Sequence, residues 1–311
     1  MSLLRNIQAK VEGKTRRAKA KGEEPAPLMQ GYTEDGYLVA QVSARDKTPE
    51  KVRGGTGFIH ASSLIGICPR RHALMAILGS GHKAPRSADR LVWAIGRAVE
   101  KHIRDQFIAQ VKGAGVLGSW TCACRATRTE GFRPLVKNIC VTCMKPQHNY
   151  EELTLFDHEY RIVGNPDIPY VRPDNGKVRV CEIKSMNKKD FDALGSAKGD
   201  HVWQALIYRR MFQRNGAEVD DNVSIVYGCK DYSFKGSPYL EFTVKVTPEH
   251  EKNLDRMWES AATIRDFVAS SKKEEIKTTP VKLPPKIALC PHKNTITAKG
   301  CDQCHSCFSI I

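Results

Sequence analysis

The sequence lacks any apolar run approaching the roughly 20 residues that a membrane-spanning helix requires. It also lacks, after Met1, the basic, apolar and small-residue order of a secretory signal. These absences argue against a membrane partner and predict a cytoplasmic or nucleoid location. No internal repeat is present, which excludes a solenoid or array. Acidic residues are scarce: 34 Asp plus Glu face 49 Lys plus Arg, a formal charge of +15. Polyanions are the natural partners of such an excess, although a basic surface solvated for its own sake would account for the charge equally well.

What the chain does have is 311 residues, an apolar fraction of 41% and eleven cysteines. The length and apolar content suit an independently folding core. Close-set cysteine pairs in a reducing compartment are more often metal ligands than disulfides.

Residues 1–57 are polar and basic, with Lys14, Arg16, Arg17, Lys19 and Lys21 ahead of Pro25 and Pro27, and read as a mobile arm that either drapes on a nucleic-acid backbone or is simply solvated. Residues 59–78 predict a helix starting at Ser62 and Ser63 and burying Leu64, Ile67, His72 and Met75. A second helix is expected over 88–111, where Leu91, Ile95, Ala98, Val99, Ile103 and Phe107 recur at helical spacing. Residues 120–145 carry no sustained period, so metal rather than a core would have to hold this insertion together.

Strands are expected over 153–171 and 177–184, between Gly164, Pro173, Asn175 and Gly176. A helix over 201–214 and a strand over 222–229 follow. Leu240, Phe242, Val244 and Val246 then alternate with polar residues as in a half-buried strand. Thr247-Pro248-Glu249 starts a helix whose buried stripe is Leu254, Met257, Trp258, Ala261, Ile264 and Phe267. Residues 272–286 are a charged, proline-bearing linker to a cysteine-rich tail. The core is mixed α/β.

Side chains alternate along 178–184, so Val180, Glu182 and Lys184 share one strand face while Cys181 and Ile183 take the other. If that strand pairs with one ending at Gly164-Asn165-Pro166-Asp167, a second carboxylate arrives at the same edge. Two carboxylates make an oxygen site for a hard cation. A lysine beside them can orient or deprotonate an attacking water and steady developing negative charge.

Gly164-x-x-Asp167, fourteen intervening residues and then Glu182-x-Lys184 resemble the core of PD-(D/E)XK nucleases, and the surroundings resemble the RecB-type exonuclease branch. Gln204 and Tyr208 match that branch's Gln-x-x-x-Tyr motif, and their i,i+4 spacing puts both on one helix face. Ser62-Ser63-Leu64 and Cys68-Pro69-Arg70-Arg71 resemble its N-terminal segment. Gly96-Arg97-Ala98-Val99-Glu100 resembles its first motif, in which Glu100, or else His102, would touch the metal. The wheel complicates this choice, since it sets His102 nearer the apolar stripe than Glu100.

The resemblance implies a restriction-endonuclease-like α/β fold over 58–289, with a central mixed sheet flanked by helices. It further implies Mg²⁺ or Mn²⁺ on Glu100, Asp167 and Glu182, and phosphodiester hydrolysis in DNA that is single-stranded or has free ends. A helicase or recombination partner, and a phage-encoded protein working in a host cytoplasm, are compatible with it. Tyr208 or Trp203 could stack on a base.

Cys122-x-Cys124, fifteen residues and then Cys140-x-x-Cys143 give two close pairs on a loop, as tetrahedral Zn²⁺ needs, within an insertion at 118–147. Arg125, Arg128, Arg133 and Lys137 lie within it and could touch phosphate. In the tail, 290–311, Cys290, Cys301, Cys304 and Cys307 either form a second zinc site or, as iron–sulfur members of the branch imply, share a [4Fe–4S] cluster with Cys68. Cys181 and Cys229 read as packed thiols. A rival to the nuclease reading is a catalytically inactive nuclease fold kept for DNA binding or assembly. A zinc-stabilised adaptor is another.

Overall fold

The computed structural model describes residues 58–66, 68–78, 87–110, 115–132, 139–231 and 236–270. The expected arm, linker and cysteine-rich tail lie outside them. The chain runs through β1 (Ile59–His60), a 3-10 turn (Ala61–Leu64), α1 (Pro69–Leu78) and α2 (Ser87–Gln110). Next come β2 (Leu117–Thr121), β3 (Arg128–Phe132), β4 (Asn149–Glu151), β5 (Leu155–Asp157), β6 (Ile162–Gly164), β7 (Ile168–Val171) and β8 (Val178–Met186). Then follow α3 (Lys188–Asp192), α4 (Gly199–Arg214), β9 (Asn222–Cys229), β10 (Tyr239–Lys245) and α5 (Pro248–Ser270).

The main sheet has the order β10-β9-β8-β7; β8 and β9 run parallel, and the outer pairings are antiparallel. The parallel pair requires a crossover, which α3 and α4 supply. β8 is buried on both faces from Val178 to Ile183. Val178, Val180 and Met186 join the larger core with Leu206, Tyr208 and Met211 of α4 and Leu254 and Trp258 of α5. Cys181 and Ile183 join a second core with Ile108 of α2, Val116, Trp120 and Ile168. The strand is therefore clamped between two apolar layers.

Four expectations change, the last of them on α2. Residues 59–78 are not one helix. Gly66, at φ +63°, takes a left-handed conformation that favours glycine, and α1 begins afresh at Pro69, whose fixed φ suits a first helical turn. The segment 153–171 is three strands. β6 pairs with β1 and β5 in a small separate sheet, while β8's partner β7 begins after Asp167.

The insertion has a packed framework of its own. β2 pairs with β3 and β4, Val116 bridges to Tyr170 of β7, and Trp120 is fully buried. Burying a tryptophan at a well-packed site contributes on the order of 3–5 kcal/mol.

The small sheet is tied to the helices by Asp157. This buried carboxylate accepts from Trp258 Nε1 at 2.9 Å, Arg214 Nε at 2.5 Å and the Tyr160 amide at 3.1 Å, so its lost hydration is replaced. α5 starts as its sequence requires: the Thr247 hydroxyl accepts from the His250 amide at 3.2 Å, an N-cap ahead of Pro248. α2 departs from expectation. Ile103 and Phe107 are partly buried and Ile108 is buried, but Leu91, Val92, Trp93 and Ile95 are between 43% and 63% exposed.

Candidate active site

Asp167 stands one residue ahead of β7, opposite Glu182 in the register that pairs Ile168 with Cys181. β7 supplies no further backbone partner here, and the Asp167 carboxylate takes that place: Oδ2 accepts from the Ile183 amide at 2.7 Å. Its backbone is held as well, because the Tyr150 hydroxyl donates to the Asp167 carbonyl at 2.9 Å. The residue is half-buried, with its carboxyl densely surrounded by protein.

Glu182 is 1% exposed. Its Oε1 meets Lys184 Nζ at 2.7 Å, while its Oε2 is buried without a hydrogen-bond partner. An unsatisfied buried carboxylate oxygen is costly unless something outside the chain serves it.

Glu100 comes from α2 on the opposite face of β8, where it lines one pocket with Ser185. It acts electrostatically on Asp167, Glu182 and Lys184 together. The structure thus brings Glu100, Asp167, Glu182 and Lys184 into one cluster. His102 is exposed and is not among the groups acting on these carboxylates. Two residues beyond Glu100 the helix has turned by roughly 200°, so the two side chains leave it on different sides, and the apolar stripe on which the wheel set His102 does not bury it.

Burial dominates the electrostatics. It pushes Asp167 up to about 7 against the opposing pull of Lys184. It drives Glu182 well above the ordinary carboxylate range, with Asp167 adding to the effect, and raises Glu100 as well. Burial works against the Lys184 charge, but Glu182 and Asp167 outweigh it and its pKa lies above the usual lysine value. Three carboxyl groups crowded around one ammonium favour their protonated forms on their own, and a hard cation is what would let them ionise together.

α4 presents His201, Gln204 and Tyr208 at i, i+3 and i+7. The Gln204 amide donates to the Tyr208 hydroxyl at 3.3 Å. A Cβ at Gly164 would lie 2.5 Å from the Tyr208 ring and 2.7 Å from Ala61, so glycine is what lets α4 approach the loop carrying Asp167. Tyr208 is 5% exposed and cannot stack on a base. Trp203 is partly buried, edge-on to His250.

His201 was absent from the sequence reading, although its spacing to Gln204 could have pointed to it. Its Nδ1 lies 3.0 Å from the Tyr227 hydroxyl. Burial first, and then Lys184, push its pKa down to about 4, so the ring is neutral. Ser185 and Tyr150 were also missed, and nothing in their spacing marks them.

The second centre is the knuckle. The sulfurs of Cys122, Cys124, Cys140 and Cys143 all lie within 4.8 Å of one another, close enough to hold one metal ion. Two turns bring the pairs in: the Arg125 amide donates to the Cys122 carbonyl at 3.0 Å, and the Met144 amide to the Cys140 carbonyl at 2.8 Å. Arg125 is exposed, whereas Arg128 bonds Ser119 at 2.8 Å. Arg133 and Lys137 lie outside the described residues. Cys68 sits just ahead of α1, partly buried, its carbonyl accepting from the His72 amide at 3.0 Å. Cys290, Cys301, Cys304 and Cys307, which would share a cluster with it, lie outside the described residues. Cys181 is buried and Cys229 partly so, both within strands.

No family model and no curated protein matches this chain. Among solved structures it is similar to an alkaline exonuclease (LHK-Exo) from Laribacter hongkongensis at a TM-score of 0.39 and 13% identity, over 74% of this chain and 96% of that one. The same exonuclease in complex with dAMP gives a TM-score of 0.39 and 13% identity, over 72% and 93%. Among the described residues no helix is long and apolar enough to cross a membrane.

Proposed function

We propose that this protein is a divalent-cation-dependent DNA nuclease that hydrolyses phosphodiester bonds, acting as an exonuclease on single strands or free ends. The observation that carries this is the orphaned Glu182 Oε2, buried beside Asp167 and Glu100. Oxygen donors without internal partners are what a hard cation binds. Asp167, Glu182 and Glu100 would hold it. When bound, Mg²⁺ or Mn²⁺ supplies Lewis acidity toward the phosphodiester and lowers the pKa of the attacking water.

The chain's own residues do the rest. Lys184, kept protonated by its carboxylate neighbours, lies 2.7 Å from Glu182 Oε1 and is placed to orient water and steady charge developing on the phosphate. Tyr208, bonded by Gln204, packs its ring against Gly164 and so supports the loop that carries Asp167 at the strand edge. His201 contributes a neutral ring beside Lys184. The charge of +15 draws the DNA backbone. On the same reading, the four-cysteine knuckle holds Zn²⁺, and Cys68 joins the tail cysteines in a [4Fe–4S] cluster. The protein then works on DNA in the cytoplasm or nucleoid, alongside a helicase or recombination partner.

The test is to incubate purified protein with single- and double-stranded DNA in Mg²⁺, Mn²⁺ or chelator. Cleavage should require the cation and disappear in Asp167→Ala and Glu182→Ala, while DNA binding survives. Unchanged cleavage by both variants sinks the assignment. Binding without cleavage under every cation identifies an inactive fold.

A further inference from the structure

The exposed apolar start of α2 is not a random scatter. Trp93, Gly96, Arg97 and Glu100 fall on one stripe at i, i+3, i+4 and i+7. With Val92, Ser185 and Lys230 they line an open pocket of ≈ 250 Å³. Lys230 follows the last residue of β9, and its backbone is held there because its amide donates to the carbonyl of Met186, the last residue of β8, at 2.8 Å. At Gly96 a Cβ would come within 3.0 Å of Ser185 Oγ and 3.7 Å of Lys230 Nζ, so the missing side chain lets helix and sheet edge close up under the pocket.

The lining has a definite chemistry. Trp93 is 50% exposed, an indole face left to solvent. Arg97 and Lys230 are cationic, and Glu100 is the only acid in the lining. The pocket is smaller and more open than an enclosed small-molecule site of about 300–1,000 Å³. A flat aromatic surface beside two cations, open at the side, is what a strand of unpaired nucleotides uses: stacking for the base, charge for the phosphate.

The geometry points to a nucleotide subsite for single-stranded DNA, with one unstacked base against Trp93 and its phosphate between Arg97 and Lys230. The strand then runs along α2 toward Glu100. That direction rests on the nuclease reading of the carboxylates; binding itself needs only the pocket.

Binding is measured by fluorescence anisotropy of a labelled oligothymidylate in chelator, using the full chain. Trp93→Ala should weaken it by about tenfold or more, the loss of one base–aromatic stack, and Trp93→Phe should recover most of the affinity. Arg97→Ala and Lys230→Ala should each lower the slope of log affinity against log salt by about one. Tryptophan emission of the wild type should fall on adding the oligonucleotide, and Trp93→Phe should remove most of that change, since Trp120 and Trp258 are buried and Trp203 is partly buried edge-on to His250.

Wild-type affinity in Trp93→Ala overturns the subsite, as does emission from Trp93 already shielded from acrylamide, which would mean the chain itself covers the pocket. Cleavage of the same oligonucleotide in Mg²⁺ is scored separately. Cleavage without Trp93 dependence refutes the subsite alone, and Trp93-dependent binding without cleavage refutes the nuclease reading alone.

Discussion

Replacing Asp167 by Asn separates the charge of the site from its shape. Asn retains an oxygen to accept from the Ile183 amide, 2.7 Å away in the wild type, and fills nearly the same volume. A carboxyl whose pKa is about 7 in the fold and 3.8 in the unfolded chain holds its proton more tightly when folded. Stability should therefore fall as pH rises from 3.8 to about 7 in the absence of metal, the reverse of an ordinary salt-bridged aspartate. At ~1.4 kcal/mol per pH unit the full span is worth ~4 kcal/mol. Solvent reaching the half-buried residue screens part of it, so ~2 kcal/mol is expected. Urea unfolding in chelator at pH 4 and pH 8 measures this. The wild type and Asp167→Asn should be nearly equal at pH 4, with the variant more stable at pH 8. Adding Mg²⁺ or Mn²⁺ at pH 8 should stabilise the wild type alone, by ~2.7 kcal/mol at a hundredfold excess over Kd, enough to offset its deficit and just reverse the order. A difference that does not change with pH, or a cation that stabilises both forms alike, refutes the reasoning.

Elemental analysis should find one zinc bound by Cys122, Cys124, Cys140 and Cys143, and Cys140→Ser with Cys143→Ser should abolish it; unchanged zinc content removes the knuckle assignment. Anaerobically purified protein should be brown and lose its colour in Cys68→Ser. Colourless protein with two zinc ions, unaffected by that substitution, would leave Cys68 a packed thiol.

Much of this architecture was legible because periodicity and burial agree. The alternation at Leu240, Phe242, Val244 and Val246 is a half-buried strand, and the stripe of α5 from Leu254 to Ile264 is buried as its spacing requires. The nearness of Glu182 and Lys184 follows from strand alternation alone. What could not be read was long-range. Asp167 reaches Ile183 by a side-chain bond at the head of a strand, where pattern suggested the end of one. Apolar spacing on α2 predicted burial for Leu91 and Ile95, but the period records only that a stripe exists and not what faces it. Residues 120–145 looked coreless because Trp120 has no apolar period around it, and its partners Ile108, Val116, Ile168 and Ile183 all lie outside the segment.

The Trp120 layer also means that the cysteine knuckle is no detachable bead. Val116 and Trp120 lie against Cys181 and Ile183, the neighbours of Glu182 on the other side of the same strand. Excising the insertion would strip one wall from β8 and leave the strand that bears Glu182 and Lys184 wet on that side. The two clusters, cysteine and carboxylate, have separate side chains but a common wall. A mutational scan should find β8 intolerant at consecutive positions, because odd and even residues answer to different neighbours.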